Sequence, residues 1–260
     1  MHITAFVSAT GGVGKTTVTA NLAVALAQRR KKVLVVDLDP QNSQRLHLGL
    51  EAGQDAGLAR EGIVLRAIFD SPFGAIGSDD QAGSVHFIPF GRISGTELDE
   101  FRRDLTLRPR WLRNHLRALE PIGFDCVLID TPQAPSVFLN QALTAANLAM
   151  IVLQPDAASY VALPKFEAMI RENASREQDF QGVFKLINQM PTNSRLSHHV
   201  RSAVYAHHGE DMVPLSIHHD TSVARALAYE RPVLEFRPGA MASLDYQYLA
   251  SWFVDTLAYG

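Results

Sequence analysis

A glycine-rich run narrows the possible folds of this chain more than any other segment. It follows an apolar stretch, Ile3 to Val7, precedes a segment with helical periodicity, and reads Gly11-Gly12-Val13-Gly14-Lys15-Thr16-Thr17. Glycines let the backbone wrap closely around an anion, so that N–H groups and the helix N-terminus point at phosphate oxygens. Lys15 then supplies charge to the β- and γ-phosphates, and Thr16 is a ligand for Mg²⁺. A plain glycine turn with a solvated lysine is the alternative, but the Lys-Thr pair favours a phosphate-binding loop.

Two further apolar runs end in carboxylates and are typical of buried strands in an α/β sheet. Residues 33–36 lead into Asp37 and Asp39, and residues 126–129 lead into Asp130. Open α/β sheets bind ligands outside the carboxyl ends of their strands, so we expect these acids to lie beside the phosphates. Asp130 is predicted to hold Mg²⁺ through water, because Mg²⁺ keeps much of its hydration shell. For Asp37, capping of a following helix is the alternative role.

Size and composition indicate a compact globular protein. The chain has 260 residues, is 47% hydrophobic and carries a formal net charge of −3, so it contains enough apolar material for a substantial core. Its one cysteine, Cys126, excludes a disulfide framework and indicates a reducing, cytoplasmic setting. No apolar run approaches the roughly 20 residues that cross a bilayer, and we expect a soluble protein.

Strands and helices are predicted to alternate along the chain. The periodicity predicts strands near residues 3–8, 33–37, 85–88, 125–130, 148–153, 183–188 and 212–216. It predicts helices near residues 16–29, 62–69, 96–119, 135–145, 158–172, 195–206, 221–229 and 242–257. This alternation predicts one α/β domain over residues 1–260, with a mostly parallel twisted sheet and helices on both faces. The segments 49–62 and 71–83 are predicted to be mobile loops.

The motifs resemble those of the ParA/MinD family of P-loop ATPases. The matching segments are the glycine-rich run, the Asp-Leu-Asp-Pro-Gln sequence at 37–41 and the strand that ends in Asp130. The resemblance implies ATP and Mg²⁺ as cofactors, and a homodimer that forms when ATP binds. It implies catalytic roles for Lys15, Asp39 and Asp130, with Asp39 positioning the attacking water. The metal site that the resemblance implies consists of Thr16, Asp37, Asp39 and Asp130.

A third strand, residues 182–188, ends in an amide that the same resemblance makes part of the nucleotide site. In the family such an asparagine reads the adenine edge, which here is the role implied for Asn188. On the residue alone, an asparagine that caps the turn before the next helix is the alternative. The resemblance also makes residues 131–135 a second switch, whose two prolines restrict the backbone.

The chain departs from the family pattern at Thr10. The family's loop begins with a lysine that reaches across the dimer to the partner's nucleotide, and threonine stands at that position here. The nucleotide-binding lysine is therefore present and the cross-dimer lysine is absent. The expectation is a slow ATPase, and a nucleotide-locked scaffold with negligible hydrolysis is the alternative.

Within the family, the chain resembles the accessory ATPase of bacterial cellulose secretion, BcsQ. The matching segments are His86 to Gly91, the Ile-His-His-Asp sequence at 217–220 with Ala224 to Ala228, Arg231 to Val233, and Glu235 to Arg237. The resemblance implies other cellulose-secretion subunits as partners at the cytoplasmic face of the inner membrane. We expect neither the basic membrane-inserting tail nor the N-terminal DNA-binding domain of other branches. A chromosome or plasmid partition ATPase, or one that positions cargo at the cell pole, is the alternative.

Two charged groupings lie outside these motifs. Three histidine doublets are interpreted as surface and loop residues, because adjacent helical residues point about 100° apart and cannot form an i, i+4 zinc pair. An arginine-rich segment is predicted to contact an acidic partner or anionic membrane more than DNA. The alternative is a solvated amphipathic helix with Trp111, Leu112, Leu116 and Leu119 in the core. The arginines of the segment are Arg102, Arg103, Arg108, Arg110, Arg113 and Arg117.

Overall fold

The centre of the molecule is a twisted sheet. The computed structural model describes residues 1–50, 56–64, 67–75, 82–174 and 180–258, and over these residues the sheet has eight strands. In chain order the strands are β1 His2–Val7, β2 Lys32–Asp37, β3 Phe69–Asp70, β4 Ser84–Ile88, β5 Cys126–Asp130, β6 Leu148–Leu153, β7 Gly182–Met190 and β8 Met212–His218.

The strand order is β3-β4-β2-β5-β1-β6-β7-β8, and every described pair except β3 with β4 is parallel. Parallel neighbours need crossover connections, which the helices supply. The predicted fold class, a mostly parallel α/β sheet with the predicted strands, is confirmed. Because β1 lies between β5 and β6, the loop that leaves β1 is flanked by the loop after β5, and the three predicted motifs meet at one edge of the sheet.

Helices cover both faces of the sheet, and each face has its own apolar core. In chain order the helices of the described residues are α1 Lys15–Ala27, α2 Gln44–Leu48, α3 Leu58–Glu61, α4 Gly95–Leu107, α5 Trp111–Ala118, α6 Val137–Ala145, α7 Ala157–Ala174, α8 Arg195–His208, α9 Thr221–Ala228, α10 Val233–Phe236 and α11 Met241–Ala258. Buried side chains of α4 to α8 pack on one face. Those of α1 and of α9 to α11 pack on the other. No helix in the described parts of the chain combines the length and apolarity needed to cross a membrane.

Helix α1 is buried on nearly all sides, which fixes the glycine-rich loop that precedes it. Residues 18–27 of this helix are all buried, and they include Leu22 and Leu26 at 0% and 1% exposure. A helix that is apolar around its whole circumference belongs in the interior of a protein. The sheet lies on one side of α1 and α11 lies on another. The residues at its N-terminus are consequently held on a rigid support.

Two local expectations were wrong, and a third was wrong in part. The single helix predicted near 96–119 is two helices, because Arg108, with φ −123° and ψ 71°, is pushed out of the helical region before Pro109. The helix predicted near 62–69 is absent from the described part of that segment, where α3 ends at Glu61 and Phe69–Asp70 forms β3. Of the predicted mobile loops, residues 51–55 and 76–81 lie outside the described residues, and 58–61 are helical.

Candidate functional site

The glycine-rich loop turns through backbone conformations that favour glycine. Gly12 and Gly14 have φ values of 74° and 87°, in the left-handed region that other residues rarely adopt. A Cβ atom added to Gly14 would lie 2.5 Å from Nδ2 of Asn188. Position 14 therefore needs glycine for two reasons, which are its backbone conformation and the close approach of Asn188 on β7.

Two consecutive amides of β7 hold the carbonyl groups of this loop. Nδ2 of Asn188 donates a hydrogen bond to the Val13 carbonyl at 2.7 Å, and Nε2 of Gln189 donates to the Gly12 carbonyl at 3.2 Å. Gln189 itself has a positive φ of 57°, and its Oε1 accepts a bond from Gln154 at 2.8 Å. The end of β7 thus fixes the glycine-rich loop by binding two of the loop's carbonyl groups. The N–H groups of the loop are not used in these bonds.

A cavity of about 270 Å³ adjoins the loop. Its lining includes Gly14, Thr17, Asn188, Ile217, His218 and Leu227. The mixture of an apolar wall with a few polar groups is typical of a site for a flat organic ring. Since the Nδ2 atom of Asn188 is bound to the loop, its Oδ1 atom is the acceptor that this side chain offers to a ligand. The adenine-reading role of Asn188 stays a prediction.

Lys15 is buried and is held by the end of β1. Its side chain is 8% exposed, and Nζ donates a hydrogen bond to Oγ of Ser8 at 2.8 Å. Ser8 in turn donates to the backbone carbonyl of Thr10 at 2.7 Å. Burial lowers the pKa of Lys15, while the charges of Asp130 and Asp39 oppose this effect. The start of α1 therefore carries a buried cation whose charged form is favoured by two nearby carboxylates.

Asp130 is a buried carboxylate that completes no hydrogen bond of ordinary geometry within the described residues. It is fully buried, and within the described residues neither of its oxygens completes a hydrogen bond. Burial raises its pKa to about 6, although Thr16, Lys15 and Gln44 lie close enough to lower it. A buried charged acceptor without a donor is rare unless a ligand or ion completes it. The carboxylate of Asp130 and the hydroxyl of Thr16 are oxygen ligands of the kind that Mg²⁺ prefers, so these residues fit this ion.

Asp37 and Asp39 shape the loop that follows β2. The Asp37 carboxylate accepts bonds from the backbone N–H groups of Asp39 at 2.9 Å and of Gln44 at 3.2 Å. Burial, followed by the neighbouring charge of Asp130, raises the pKa of Asp37 well above its usual value. Asp39 is half-buried and accepts from the N–H of Gln41 at 2.9 Å. Asp37 lies opposite Asp130 on the adjacent strand, but Asp37, Asp39 and Asp130 do not form a three-acid metal-binding group in the part of the chain that the structure describes.

The loop after β5 is tied to the glycine-rich loop. Oγ1 of Thr131 donates to the Phe6 carbonyl at 2.7 Å, and Nε2 of Gln133 donates to the Ala9 carbonyl at 3.4 Å. A Cβ atom at Gly11 would lie 2.9 Å from Oε1 of Gln133. The segment predicted as the second switch therefore touches the loop where a γ-phosphate would be sensed.

Sequence reasoning did not identify Ser8, Gln44 and Gln189 as parts of this site. Ser8 follows β1 directly, and a polar residue at that point could have been recognised as a partner for Lys15. Gln44 and Gln189 give no local signal, because an isolated glutamine in a polar loop is common. Their positions depend on the packing of β2 and β7 around α1.

The arginine-rich segment lies on helices α4 and α5 and the turn between them, and Arg102 and Arg103 line a cavity together with Gln133 of the loop after β5. The predicted core residues Trp111, Leu112, Leu116 and Leu119 are buried, so the amphipathic interpretation of α5 is confirmed. Arg102 pairs with Asp99 at 3.2 Å, and Arg108 pairs with Asp104 at 2.5 Å. The contact of this segment with an acidic partner or a membrane stays a prediction. Over the described residues, no three His, Cys, Asp or Glu side chains form a metal-binding group.

The chain is similar over nearly its whole length to known proteins. A model of the family described as cellulose biosynthesis protein BcsQ matches residues 1–254. The cellulose biosynthesis protein BcsQ of Escherichia coli is 28% identical over 243 residues, which cover 93% of this chain and 90% of that protein. The chromosome partitioning protein ParA of Caulobacter vibrioides is 28% identical over 255 residues, which cover 96% and 92%.

The fold is also that of solved ATPases. The septum site-determining protein MinD of Pyrococcus horikoshii, complexed with Mg-ADP, aligns with a TM-score of 0.76 and 25% identity. The alignment covers 99% of this chain and 97% of that one. The resemblance of the motifs to ParA/MinD ATPases is therefore confirmed.

Proposed function

The chain belongs to the BcsQ family of cellulose biosynthesis proteins, and we propose that it binds ATP with Mg²⁺ and acts as an assembly or localisation factor of bacterial cellulose secretion. One observation carries the nucleotide part of this proposal. The buried carboxylate of Asp130, which completes no hydrogen bond of ordinary geometry in the described residues, lies close enough to the buried cation of Lys15 for their charges to interact. Hydrated Mg²⁺ and phosphate oxygens supply the charges that these two groups lack.

The proposed roles follow from the contacts of each residue. The N–H groups from Gly11 to Thr17 surround the phosphates, while Lys15 leaves Ser8 to contact the β- and γ-phosphates. Thr16 and Asp130 hold Mg²⁺, which neutralises phosphate charge when bound. Asp37 fixes the loop that carries Asp39, and Asp39 orients water for attack on the γ-phosphate.

Asn188 and the adjoining cavity take the base in this proposal. The Oδ1 atom of Asn188 accepts a hydrogen bond from the exocyclic amino group of adenine, while the apolar wall contacts the ring. A guanine base, which has a carbonyl oxygen at that place, would put two acceptors together. ATP is therefore the preferred nucleotide.

Substitution of Lys15 tests the nucleotide site. The wild-type chain should bind ATP with Mg²⁺ in a calorimetric titration, and Lys15→Ala should reduce the affinity by at least about tenfold, because a charged hydrogen bond is worth about 1.5–3 kcal/mol. Lys165→Ala, which removes an exposed lysine on α7, is the matched control. Equal affinity of wild type and Lys15→Ala would refute the assignment of the loop.

The cellular role is supported by the family match, and partition is the second candidate. The ParA relative has the same 28% identity as the cellulose protein of Escherichia coli. A chain that works in cellulose secretion should act in the cytoplasm and reach the inner membrane or cell pole through partner subunits. Deletion of the gene should abolish cellulose secretion and leave plasmid and chromosome inheritance unchanged. The opposite pattern would favour partition.

Thr10 bears on whether the protein is a working switch or a scaffold. We propose an ATP-dependent homodimer with low intrinsic turnover, because threonine cannot extend a charge to the partner's nucleotide as the family's lysine does. Single-turnover hydrolysis measured with and without cellulose-secretion subunits separates these functions. A switch gains turnover from its partners, whereas a scaffold keeps ATP bound in both cases.

A further inference from the structure

Gln44 is a fully buried side chain that connects the loop after β2 with helix α1. Its exposure is 0%, and its Nε2 atom donates a hydrogen bond to the carbonyl of Thr16 at 3.1 Å. Its backbone N–H donates to Asp37 at 3.2 Å. The residue therefore contacts two of the segments that surround the proposed metal site.

The side-chain carbonyl oxygen of Gln44 has no hydrogen-bond partner among the described residues. Within the described residues, Oε1 of Gln44 and both oxygens of Asp130 are buried and accept no hydrogen bond. Gln44 lies close enough to Asp130 to influence its ionisation. Three buried acceptors that complete no hydrogen bond are unusual in one region, because buried acceptors in proteins are nearly always satisfied. A ligand that brings several hydrogen-bond donors would satisfy all three.

We propose that Gln44 is a positioning residue for hydrated Mg²⁺, and that its Oε1 atom accepts a hydrogen bond from water carried by the cation. The inference rests on the proposed nucleotide function. Hydrated Mg²⁺ is the appropriate donor because it keeps several waters, and each offers hydrogens to surrounding acceptors. Groups behind the direct ligands orient a metal and tune its affinity. Gln44 thereby links metal binding to the loop that carries Asp39.

A purely structural glutamine elsewhere in the chain provides a matched control. Gln141 is 2% exposed, and its amide donates to the carbonyls of Leu105 and Arg108 and accepts from the N–H of Leu112. Its polar atoms are therefore satisfied by protein groups. Loss of either glutamine removes buried hydrogen bonds, but only loss of Gln44 should alter the response to Mg²⁺.

The test is a titration of Mg²⁺ against ADP binding, with a fluorescent ADP analogue as the probe. Gln44→Leu should raise the Mg²⁺ concentration at half-saturation about tenfold, as expected for loss of a hydrogen bond at a charged site. Its affinity for the analogue in EDTA should stay within about twofold of wild type. Gln141→Leu should lower the melting temperature without moving the Mg²⁺ midpoint. Gln44→Glu, which keeps an acceptor oxygen, should respond to Mg²⁺ at least as well as wild type.

The outcomes separate this inference from the proposed function. An unchanged Mg²⁺ midpoint in Gln44→Leu, or an equal loss of affinity in EDTA, would assign Gln44 a structural role only and overturn the inference. A Mg²⁺ midpoint in Gln44→Glu that is about tenfold above wild type would also overturn the inference, and this comparison does not require Gln44→Leu to fold. Failure of the wild-type chain to bind the analogue in either condition would instead refute the nucleotide function, and the inference with it.

Discussion

Asp130→Asn should make the ligand-free protein more stable, although it removes a residue that the proposed function needs. Burial raises the pKa of Asp130 from its ordinary 3.8 to about 6. That difference corresponds to roughly 3 kcal/mol by which the ionised carboxylate destabilises the fold above pH 6. Asparagine avoids the charge but leaves a buried amide without partners, which costs about 1–3 kcal/mol. We therefore expect a net gain of up to about 2 kcal/mol at pH 8.

The sign of the pH dependence follows from the raised pKa. Between pH 3.8 and about 6 the folded chain retains a proton on Asp130 that the unfolded chain has lost, so this residue makes the wild type less stable as pH rises. The advantage of Asp130→Asn should consequently be about 1 kcal/mol smaller at pH 5 than at pH 8.

Urea unfolding in EDTA at the two pH values measures this difference. Asp255→Asn, at an exposed site on α11, controls for the loss of one negative charge. Adding Mg²⁺ and ADP should then stabilise the wild type more than the variant, because only the wild type keeps the metal-binding carboxylate. A variant less stable than wild type at pH 8 in EDTA would show that the buried charge is satisfied, and would refute the reasoning.

Two further substitutions test other parts of the proposed function. Asp39→Ala should leave ATP bound and slow hydrolysis at least about tenfold in single-turnover assays, since a residue that orients water acts in the transition state. Size-exclusion chromatography should then show a persistent ATP-bound dimer, whereas loss of nucleotide binding would make Asp39 a metal or structural residue. Replacement of Arg110, Arg113 and Arg117 by Glu should reduce recruitment to the secretion complex without changing ATP affinity. DNA retention by the wild type that requires ATP and is lost in this triple variant would favour partition over cellulose secretion.

The parts of the fold that the sequence predicted are those encoded by contiguous residues. The apolar runs of β2 and β5 and their terminal acids place Asp37 and Asp130 at the same edge of the sheet without any long-range information. The break before Pro109 also has a local cause, because the residue before proline disfavours the helical region. That signal was outweighed by the helical periodicity on both sides. Strand β3 has two residues and is too short for periodicity to detect.

The parts that were not predicted depend on contacts between distant residues. Asn188 had two predicted roles, adenine recognition or capping of a turn. In the structure its amide holds the Val13 carbonyl, 175 positions earlier in the chain. Gln44 and Thr16 are likewise 28 positions apart. Their relative position is set when β2 and α1 pack together, and no local pattern records it.

The hydrogen bonds from β7 to the glycine-rich loop have a consequence for the thermodynamics of ligand binding. A glycine-rich segment normally loses much conformational entropy when it closes around an anion. Here Asn188 and Gln189 already fix the carbonyls of Val13 and Gly12, so that most of this loss occurs during folding. Binding to a preorganised loop retains more of the interaction free energy. The loop backbone should therefore have high NMR order parameters before any nucleotide is added, and nucleotide should change them little.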